Sequence, residues 1–134
     1  MKRNSILFSL FFFLFLHSAF KNGGNCTVQY NGIYTCSVDD ETDAHIRFYD
    51  DGTVIASTSI KNIVFVNKWF TKENIDLVLK GTYKIKGCNI KFKAKGDTGE
   101  QDFNGTINGN ELILEVKDAK TKAKTMRTYK FIAT

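Results

Sequence analysis

Lysine is the residue type whose clustering in this chain most clearly suggests a binding surface. The stretch GTYKIKGCNIKFKAKG, residues 81–96, contains five lysines and no acid, and a sixth lysine precedes it. The candidate anion-binding residues are Lys80, Lys84, Lys91 and Lys93, with Lys86 and Lys95 beside them. Clustered ammonium groups attract polyanions, but the same pattern is typical of a solvated sheet face. The sequence favours the solvated face and leaves anion binding as the alternative.

Nucleophilic catalysis is the second chemistry to consider. A nucleophile needs a base beside it, and His45 is the only histidine after His17. Cys36 and His45 flank a predicted loop, where placement on opposite strand faces would keep them apart. We expect His45 to be an exposed residue at the start of a strand, and we expect no enzymatic activity.

Acidic residues offer a third possibility, metal binding. The segment Asp39–Asp43 has the hard oxygen ligands that Ca²⁺ prefers, but its spacing is not that of an EF-hand. Asp50 and Asp51 lie about 17 Å further along the chain, beyond a strand. We therefore expect a solvated turn with no bound metal, and no cofactor.

The first twenty residues have the order of a secretory signal peptide. Lys2 and Arg3 precede an apolar run at 6–16, and small residues follow up to Ala19. We predict a signal peptide at 1–19, one domain at 20–134, a secreted or periplasmic location, and no membrane span in the mature form. Export would leave only a small excess of basic residues, which is weak evidence for nucleic acid as a partner.

The rest of the chain reads as eight short strands. Alternating segments lie at 32–38, 45–49, 53–59, 79–85, 88–94, 101–107, 111–117 and 125–132. Glycine-containing turns such as Lys86-Gly87 and Asn108-Gly109 separate several of them. A long crossover, Ile60–Val78, joins the third and fourth strands, with a short helix expected around 67–74.

Eight antiparallel strands with one apolar face each are best satisfied by an up-and-down meander closed into a barrel. The bottom of this barrel is defined here as the end where the first strand begins. The strand directions place tight turns at the bottom and the longer connections, including the crossover, at the top. Barrels that hold small molecules do so at a mouth framed by long loops.

Aromatic residues supply the candidate ligand-binding set. Trp69 and Phe70 lie in the crossover, where we expect them above the top mouth as a plug or as a lid for an apolar ligand. The inward candidates are Tyr34, Phe48, Tyr83, Phe92 and Phe103, followed by Tyr129 and Phe131. Rings of this number are bulky enough to fill a small barrel and leave no cavity.

Three cysteines, Cys26, Cys36 and Cys88, remain after export, and an oxidising compartment permits one disulfide. The meander places Cys26 and Cys88 at the bottom, while Cys36 lies further up the first strand as a small hydrophobe. We favour a Cys26–Cys88 disulfide, and the two other pairings and a reduced chain remain open. The glycosylation sequons at Asn25 and Asn104 matter only in a eukaryote.

Several segments resemble small exported lipocalin-like barrel proteins of bacteria. They are Gly-x-Tyr-x-Cys at 32–36, IRFYDDGTV at 46–54, KWF at 68–70, GTYKIKGCNIKF at 81–92, FNGTINGNELIL at 103–114 and YKF at 129–131. The resemblance covers most of the mature chain. It implies the barrel fold and apolar-ligand binding, and it transfers no catalytic residue.

The function expected from the sequence is that of an exported, monomeric module that binds a small apolar or amphipathic ligand at the long-loop end of the barrel. The alternative is an interaction protein that binds an anionic polymer or a protein through its lysine-rich sheet face. Ionic strength separates the two, because polyanion binding weakens steeply with salt.

Overall fold

The computed structural model describes residues 26–134, which form a closed antiparallel barrel. Each strand pairs with the next along the chain, and the first pairs with the last, so that Tyr34 lies opposite Phe131. The predicted eight-stranded up-and-down barrel is confirmed. The predicted signal peptide and Asn25 lie outside the described residues. The elements are β1 (Gly32–Ser37), β2 (Thr42–Phe48), β3 (Thr53–Ile60), α1 (Ile63–Trp69), β4 (Leu79–Lys86), β5 (Asn89–Gly96), β6 (Gly99–Asn108), β7 (Glu111–Asp118) and β8 (Lys124–Ala133).

The turns at the top of the barrel are shorter than the sequence predicted. β2 begins at Thr42, which pairs with Ile60, and β5 and β6 are joined by residues 97–98 alone. Parts of the polar segments read as loops, including Asp43, Lys95 and Glu100, belong to the strands. Only the crossover between β3 and β4 is long, so the expected ring of long loops around the mouth is wrong.

The barrel interior is filled by side chains that alternate along every strand. Its rings contact one another: the Phe92 and Phe103 rings are stacked with centroids 4.4 Å apart. Phe48 lies edge-on to Tyr83 at 5.0 Å and to Tyr34 at 5.5 Å. The aliphatic residues of the same cluster are Val28, Ala44, Ile46, Val54, Ala56, Leu79, Ile90, Ala94, Ile107, Leu112, Leu114 and Val116. The interior is therefore a packed hydrophobic core.

The segment before β1 closes the bottom of the barrel. Cys26 forms a disulfide with Cys88, in the β4–β5 turn, with 4.8 Å between the Cα atoms. Val28 is buried in the interior cluster, and the Gln29 amide donates to the Tyr34 hydroxyl at 2.9 Å. The disulfide joins the pair of cysteines that the strand directions placed at one end, and Cys36 is a free thiol.

The crossover lies on the outer wall of the barrel, so its predicted position above the mouth is wrong. Val66, Phe70 and Val78 pack against Ile33 of β1 and Ile55 of β3, whose side chains point outward and are fully buried. Arg47, which also points outward, donates to the Phe70 carbonyl at 2.7 Å. The crossover is held there because two apolar side chains on the outer face need cover from water.

The helix also begins earlier than predicted. α1 starts after Asn62, whose side chain accepts a hydrogen bond from the Phe65 amide as an N-cap. Residues 70–78, which were expected to contain its second half, form turns instead. Among residues 26–134, no helix has the length and apolar character needed to cross a membrane.

The disulfide generates a stability prediction. The double variant Cys26→Ser, Cys88→Ser is expected to lose about 2–4 kcal/mol of unfolding free energy, because the bond constrains a long loop in the unfolded chain. Urea unfolding measures the loss, and Cys36→Ala is the matched control with a smaller expected effect. A double variant as stable as the parent, or a peptide map that shows Cys36 in a disulfide, would contradict the assignment.

Candidate functional site

The outer wall of the barrel has two different halves. The crossover covers the half formed by β1, β2 and β3, while the half formed by β4 to β8 is open to solvent. The outward residues of β4 and β5 form the surface termed here the lysine face. It consists of Lys80, Lys84, Lys86, Lys91, Lys93 and Lys95, all exposed.

A groove of about 700 Å³ crosses this open half. Five lysines line it, and two acids lie among them. They are Lys84, Lys91, Lys93, Lys117 and Lys124, with Asp102 and Glu115. The groove therefore brings together three of the four predicted anion-binding residues and adds two lysines from β7 and β8. Lys80 is outside the groove.

The strand register puts like charges opposite each other on the lysine face. Lys84 is the cross-strand partner of Lys91, and Lys80 is the partner of Lys95. Lys93 is better compensated, with its Nζ 3.7 Å from Glu100 Oε1 and 3.8 Å from Asp102 Oδ1. These ion pairs are long and exposed, so each contributes little to stability. Positive charge is therefore only partly neutralised along the groove.

The predicted ligand-binding residues do not form one site. Tyr34, Phe48, Phe92 and Phe103 are buried in the interior, and Tyr83 packs partly buried against them. Trp69 and Phe70 lie outside the wall, with their ring centroids 5.8 Å apart. The strand wall separates the two sets, so the two crossover rings are not a lid over the five interior ones.

His45 is buried, and the expectation that it is exposed is wrong. Its side chain points outward from β2 but lies under the crossover, with its ring centroid 5.9 Å from that of Phe70. The imidazole Nδ1 is 3.1 Å from Thr35 Oγ1, and Nε2 is 2.8 Å from Ser59 Oγ. Burial lowers the pKa of His45, and the nearby Asp43 carboxylate opposes that shift. The imidazole is therefore neutral at physiological pH.

Charged groups around His45 are themselves paired. Asp43, on the same face of β2, accepts a 2.7 Å ion pair from Lys61 at the start of the crossover. Arg47, two residues beyond His45, is engaged with the Phe70 carbonyl and with Asn67 Oδ1 at 3.4 Å. Cys36 belongs to the interior side of β1, and burial raises the pKa of its thiol. Cys36 and His45 are thus on opposite faces of the sheet, as the alternation of strand residues implied.

Ser59 is the residue that sequence reasoning missed. It lies on β3, diagonal to His45, its hydroxyl contacts the imidazole, and the residue lines a pocket at the start of the crossover. A serine in a polar strand end carries no local signal of its own. The signal that was available is the pair of apolar outward positions, Ile33 and Ile55, which indicate that this wall is covered.

The acidic segment is used in turn formation. Asp39 Oδ1 accepts a hydrogen bond from the Glu41 amide at 2.9 Å, and Asp43 belongs to β2. Within residues 26–134, no cluster of three or more His, Cys, Asp or Glu side chains is arranged to hold a metal ion.

The comparisons with known proteins found no matching family model, no matching curated protein and no matching solved structure. The structure shows a small eight-stranded barrel, and no match assigns the chain to a family.

The buried imidazole generates a prediction for pH dependence. The folded-state pKa of His45 lies below the 6.5 of an unfolded histidine. The unfolded chain therefore takes up this proton first as pH falls. The stability contribution is complete above about pH 6.5 and is lost as the pH falls toward the folded-state pKa. Melting temperature should drop between about pH 7.5 and 5, and His45→Gln should flatten that slope.

The carboxylate of Asp51 titrates at lower pH and so does not mimic this effect. The Lys72 ammonium beside Asp51 holds the pKa of that carboxyl well below its usual range, so its contribution is lost only at pH values below 3.8. A His45→Gln variant that keeps the parent's slope between about pH 7.5 and 5 would show that His45 is not the group responsible.

Proposed function

We propose that this protein is a binding module that holds an anionic polymer, such as a sulfated or phosphorylated glycan, in the groove of its lysine face. The observation that carries the proposal is the direct cross-strand pairing of Lys84 with Lys91 inside a lysine-lined groove. The location that we propose for the module is outside the cell or in the periplasm.

Like charges in direct cross-strand contact destabilise a sheet by a few tenths of a kcal/mol or more. The fold gains nothing from Lys84 and Lys91 at these positions that a neutral polar residue would not supply. An anion bound between them would remove the repulsion and release counterions from the polymer. The lysine pair therefore has a clear benefit only in a complex.

The spacing of the ammonium groups fits an extended polymer. Lys91, Lys93 and Lys95 alternate along β5, which places successive outward residues about 6.6 Å apart. Lys117 and Lys124 extend the positive surface across β7 and β8. A single small anion would engage only two or three of these groups, whereas a chain of anionic sugars reaches them all.

The interior gives less support to the apolar ligand expected from the sequence. Tyr34, Phe48, Phe92 and Phe103 are at most 4% exposed. The Tyr34–Phe131 and Phe48–Phe92 ring contacts, at 5.0 and 5.7 Å, add to the stacking described above. A ligand in the barrel would have to displace these rings from one another, which would cost their packing energy.

The disulfide supports the proposed location. Disulfides persist in secreted and periplasmic proteins and are rare in the reducing cytosol. The Cys26–Cys88 bond attaches the N-terminal segment to the barrel, and this is the arrangement expected of a small domain in an oxidising compartment.

Salt-dependent retention on heparin tests the proposal. The triple variant Lys84→Gln, Lys91→Gln, Lys93→Gln is expected to elute at much lower salt than the parent, because each lost contact removes counterion release. The matched control is Lys68→Gln, Lys120→Gln, Lys122→Gln, which makes the same charge change outside the groove. Equal effects of the two triple variants would show that net charge alone causes retention, and no retention of the parent at low salt would refute the proposal.

The same groove variant should fold normally. Exposed ion pairs are worth at most about 1 kcal/mol each, and loss of the Lys84–Lys91 repulsion offsets part of that. Thermal unfolding is therefore expected to show a melting temperature within a few degrees of the parent. A large drop would mean that the lysine face is needed for the fold, and the binding result would then have to be measured with single variants.

A further inference from the structure

The covered half of the wall contains a serine and a histidine in hydrogen-bond contact. Ser59 Oγ on β3 is 2.8 Å from His45 Nε2 on β2. Thr35 is the cross-strand partner of His45, and its Oγ1 is 3.1 Å from Nδ1 on the other side of the ring. A nucleophile, a base and a group that orients the base are therefore in line, which is the arrangement that nucleophilic catalysis needs.

One assignment of the imidazole hydrogen allows Ser59 to donate its hydroxyl hydrogen to His45. A neutral imidazole carries one N–H. With that proton on Nδ1, His45 donates to Thr35 Oγ1 and leaves the Nε2 lone pair to accept from the Ser59 hydroxyl. The Ile60 carbonyl is a second acceptor for that hydroxyl, at 3.1 Å, and rotation about the Cβ–Oγ bond moves the hydrogen between the two. The low pKa caused by burial keeps His45 in the neutral form that this requires.

A pocket opens in front of the serine. Its volume is about 350 Å³, and it is lined by Ser59, Ile60, Lys61, Asn62, Phe65, Val66 and Trp69. His45 is not among the lining residues, so a molecule in the pocket meets the serine and not the base. Ile60 and Phe65 are 78% and 61% exposed, an unusual degree of exposure for two large apolar side chains beside one cavity.

We propose that Ser59 and His45 form a nucleophile–base pair that hydrolyses carboxylic esters whose apolar acyl chain binds in this pocket. Trp69, Phe65 and Ile60 form the apolar wall for the acyl chain. Thr35 is a positioning residue that fixes the imidazole tautomer. This activity is independent of anion binding at the lysine face, which lies on the other half of the barrel.

The reaction balances with water as the only co-substrate. Ser59 Oγ forms a bond to the ester carbonyl carbon while its proton passes to His45 Nε2. The bond from that carbon to the alcohol oxygen then breaks, and the alkoxide takes a proton from a water molecule in the pocket, because His45 is buried behind Ser59. The hydroxide that remains attacks the acyl-serine, the carbon–Oγ bond breaks, and Ser59 recovers its proton from Nε2 as the carboxylic acid leaves.

Two neighbouring groups assist these steps. The Asp43 carboxylate, on the same face of β2 as His45, lowers the cost of the imidazolium that forms when Ser59 gives up its proton. Asn62 lines the pocket, and its Oδ1 accepts the Phe65 amide hydrogen, so its side-chain NH₂ takes no part in that bond. That NH₂ can donate to the ester carbonyl oxygen as negative charge develops there.

A purely structural role for the same contacts makes different predictions. Two hydroxyls beside a buried imidazole also satisfy its hydrogen-bonding groups, and in that case Ser59 would be no more reactive than other serines. Ser57 is the matched control, because it also faces outward from β3, two residues earlier. Its hydroxyl lies within hydrogen-bond distance of the Leu77 and Thr58 carbonyls at 3.1 and 3.4 Å.

The test is covalent labelling of the full chain with an alkyl fluorophosphonate, followed by peptide mapping, together with hydrolysis of p-nitrophenyl butyrate. We expect the adduct on Ser59 in the parent and in Ser57→Ala. Hydrolysis should fall by about 10²-fold or more in Ser59→Ala and in His45→Gln. Ser59→Ala removes one half-buried hydroxyl near the end of β3 and is expected to fold, so the result does not depend on the stability of the His45 variant.

The role of Thr35 in positioning the imidazole is tested with separate variants. Thr35→Val should lower the hydrolysis rate, and Thr35→Ser should restore it, because only the hydroxyl that accepts from Nδ1 is needed. The proposal is overturned if no serine is labelled, if the adduct forms on a serine other than Ser59, or if Ser59→Ala hydrolyses the ester at the parent rate.

Discussion

The pairing of β1 with β8 is the constraint on which the rest of the structure depends. Once Tyr34 is opposite Phe131, the sheet has no edge. The inward side chains of every strand must then fill a closed interior. Closure also brings backbones very close together at a few points. A Cβ added to Gly81 would meet the Lys93 carbonyl oxygen at 1.7 Å, and one at Gly105 would meet that of Ile113 at 1.9 Å. Glycine at these positions is what lets the strands bend into so small a barrel.

Closure also decides which surfaces are available for function. The interior of the barrel is occupied by rings whose burial contributes about 1.5–3 kcal/mol each, so a ligand there would compete with the core itself. The candidate chemistry is therefore on the outside. The lysine face exists because most outward positions of β4 to β8 are polar. The Ser59–His45 contact is covered because two outward positions of β1 and β3, Ile33 and Ile55, are apolar and hold the crossover against the wall.

The fold and most of the lysine face could be predicted from the sequence, whereas the Ser59–His45 contact could not. Period-two alternation and turn glycines are local signals, and they were sufficient for eight strands in meander order. The strand directions alone placed Cys26 near Cys88. The predicted position of the crossover was wrong because it depends on contacts between residues distant in sequence, such as Phe70 and Ile33. His45 was read as exposed for the same reason, since nothing near it in the chain indicates the segment that covers it.

The crossover makes one part of the outer wall chemically different from the rest, because it buries polar side chains that would otherwise be exposed to water. On an open strand His45 would be solvated, with an ordinary pKa and freely exchanging partners. Under Phe70 the imidazole loses water, and the hydroxyls of Thr35 and Ser59 become the groups that satisfy it. Water exclusion strengthens such contacts, and it requires the covering segment to stay in place. Arg47, bonded to the Phe70 carbonyl, and Lys72, paired with Asp51 at 2.9 Å, hold it there. The reactivity of Ser59 is therefore tied to the docking of the crossover, and a change that loosened this segment would return His45 to water and remove the base.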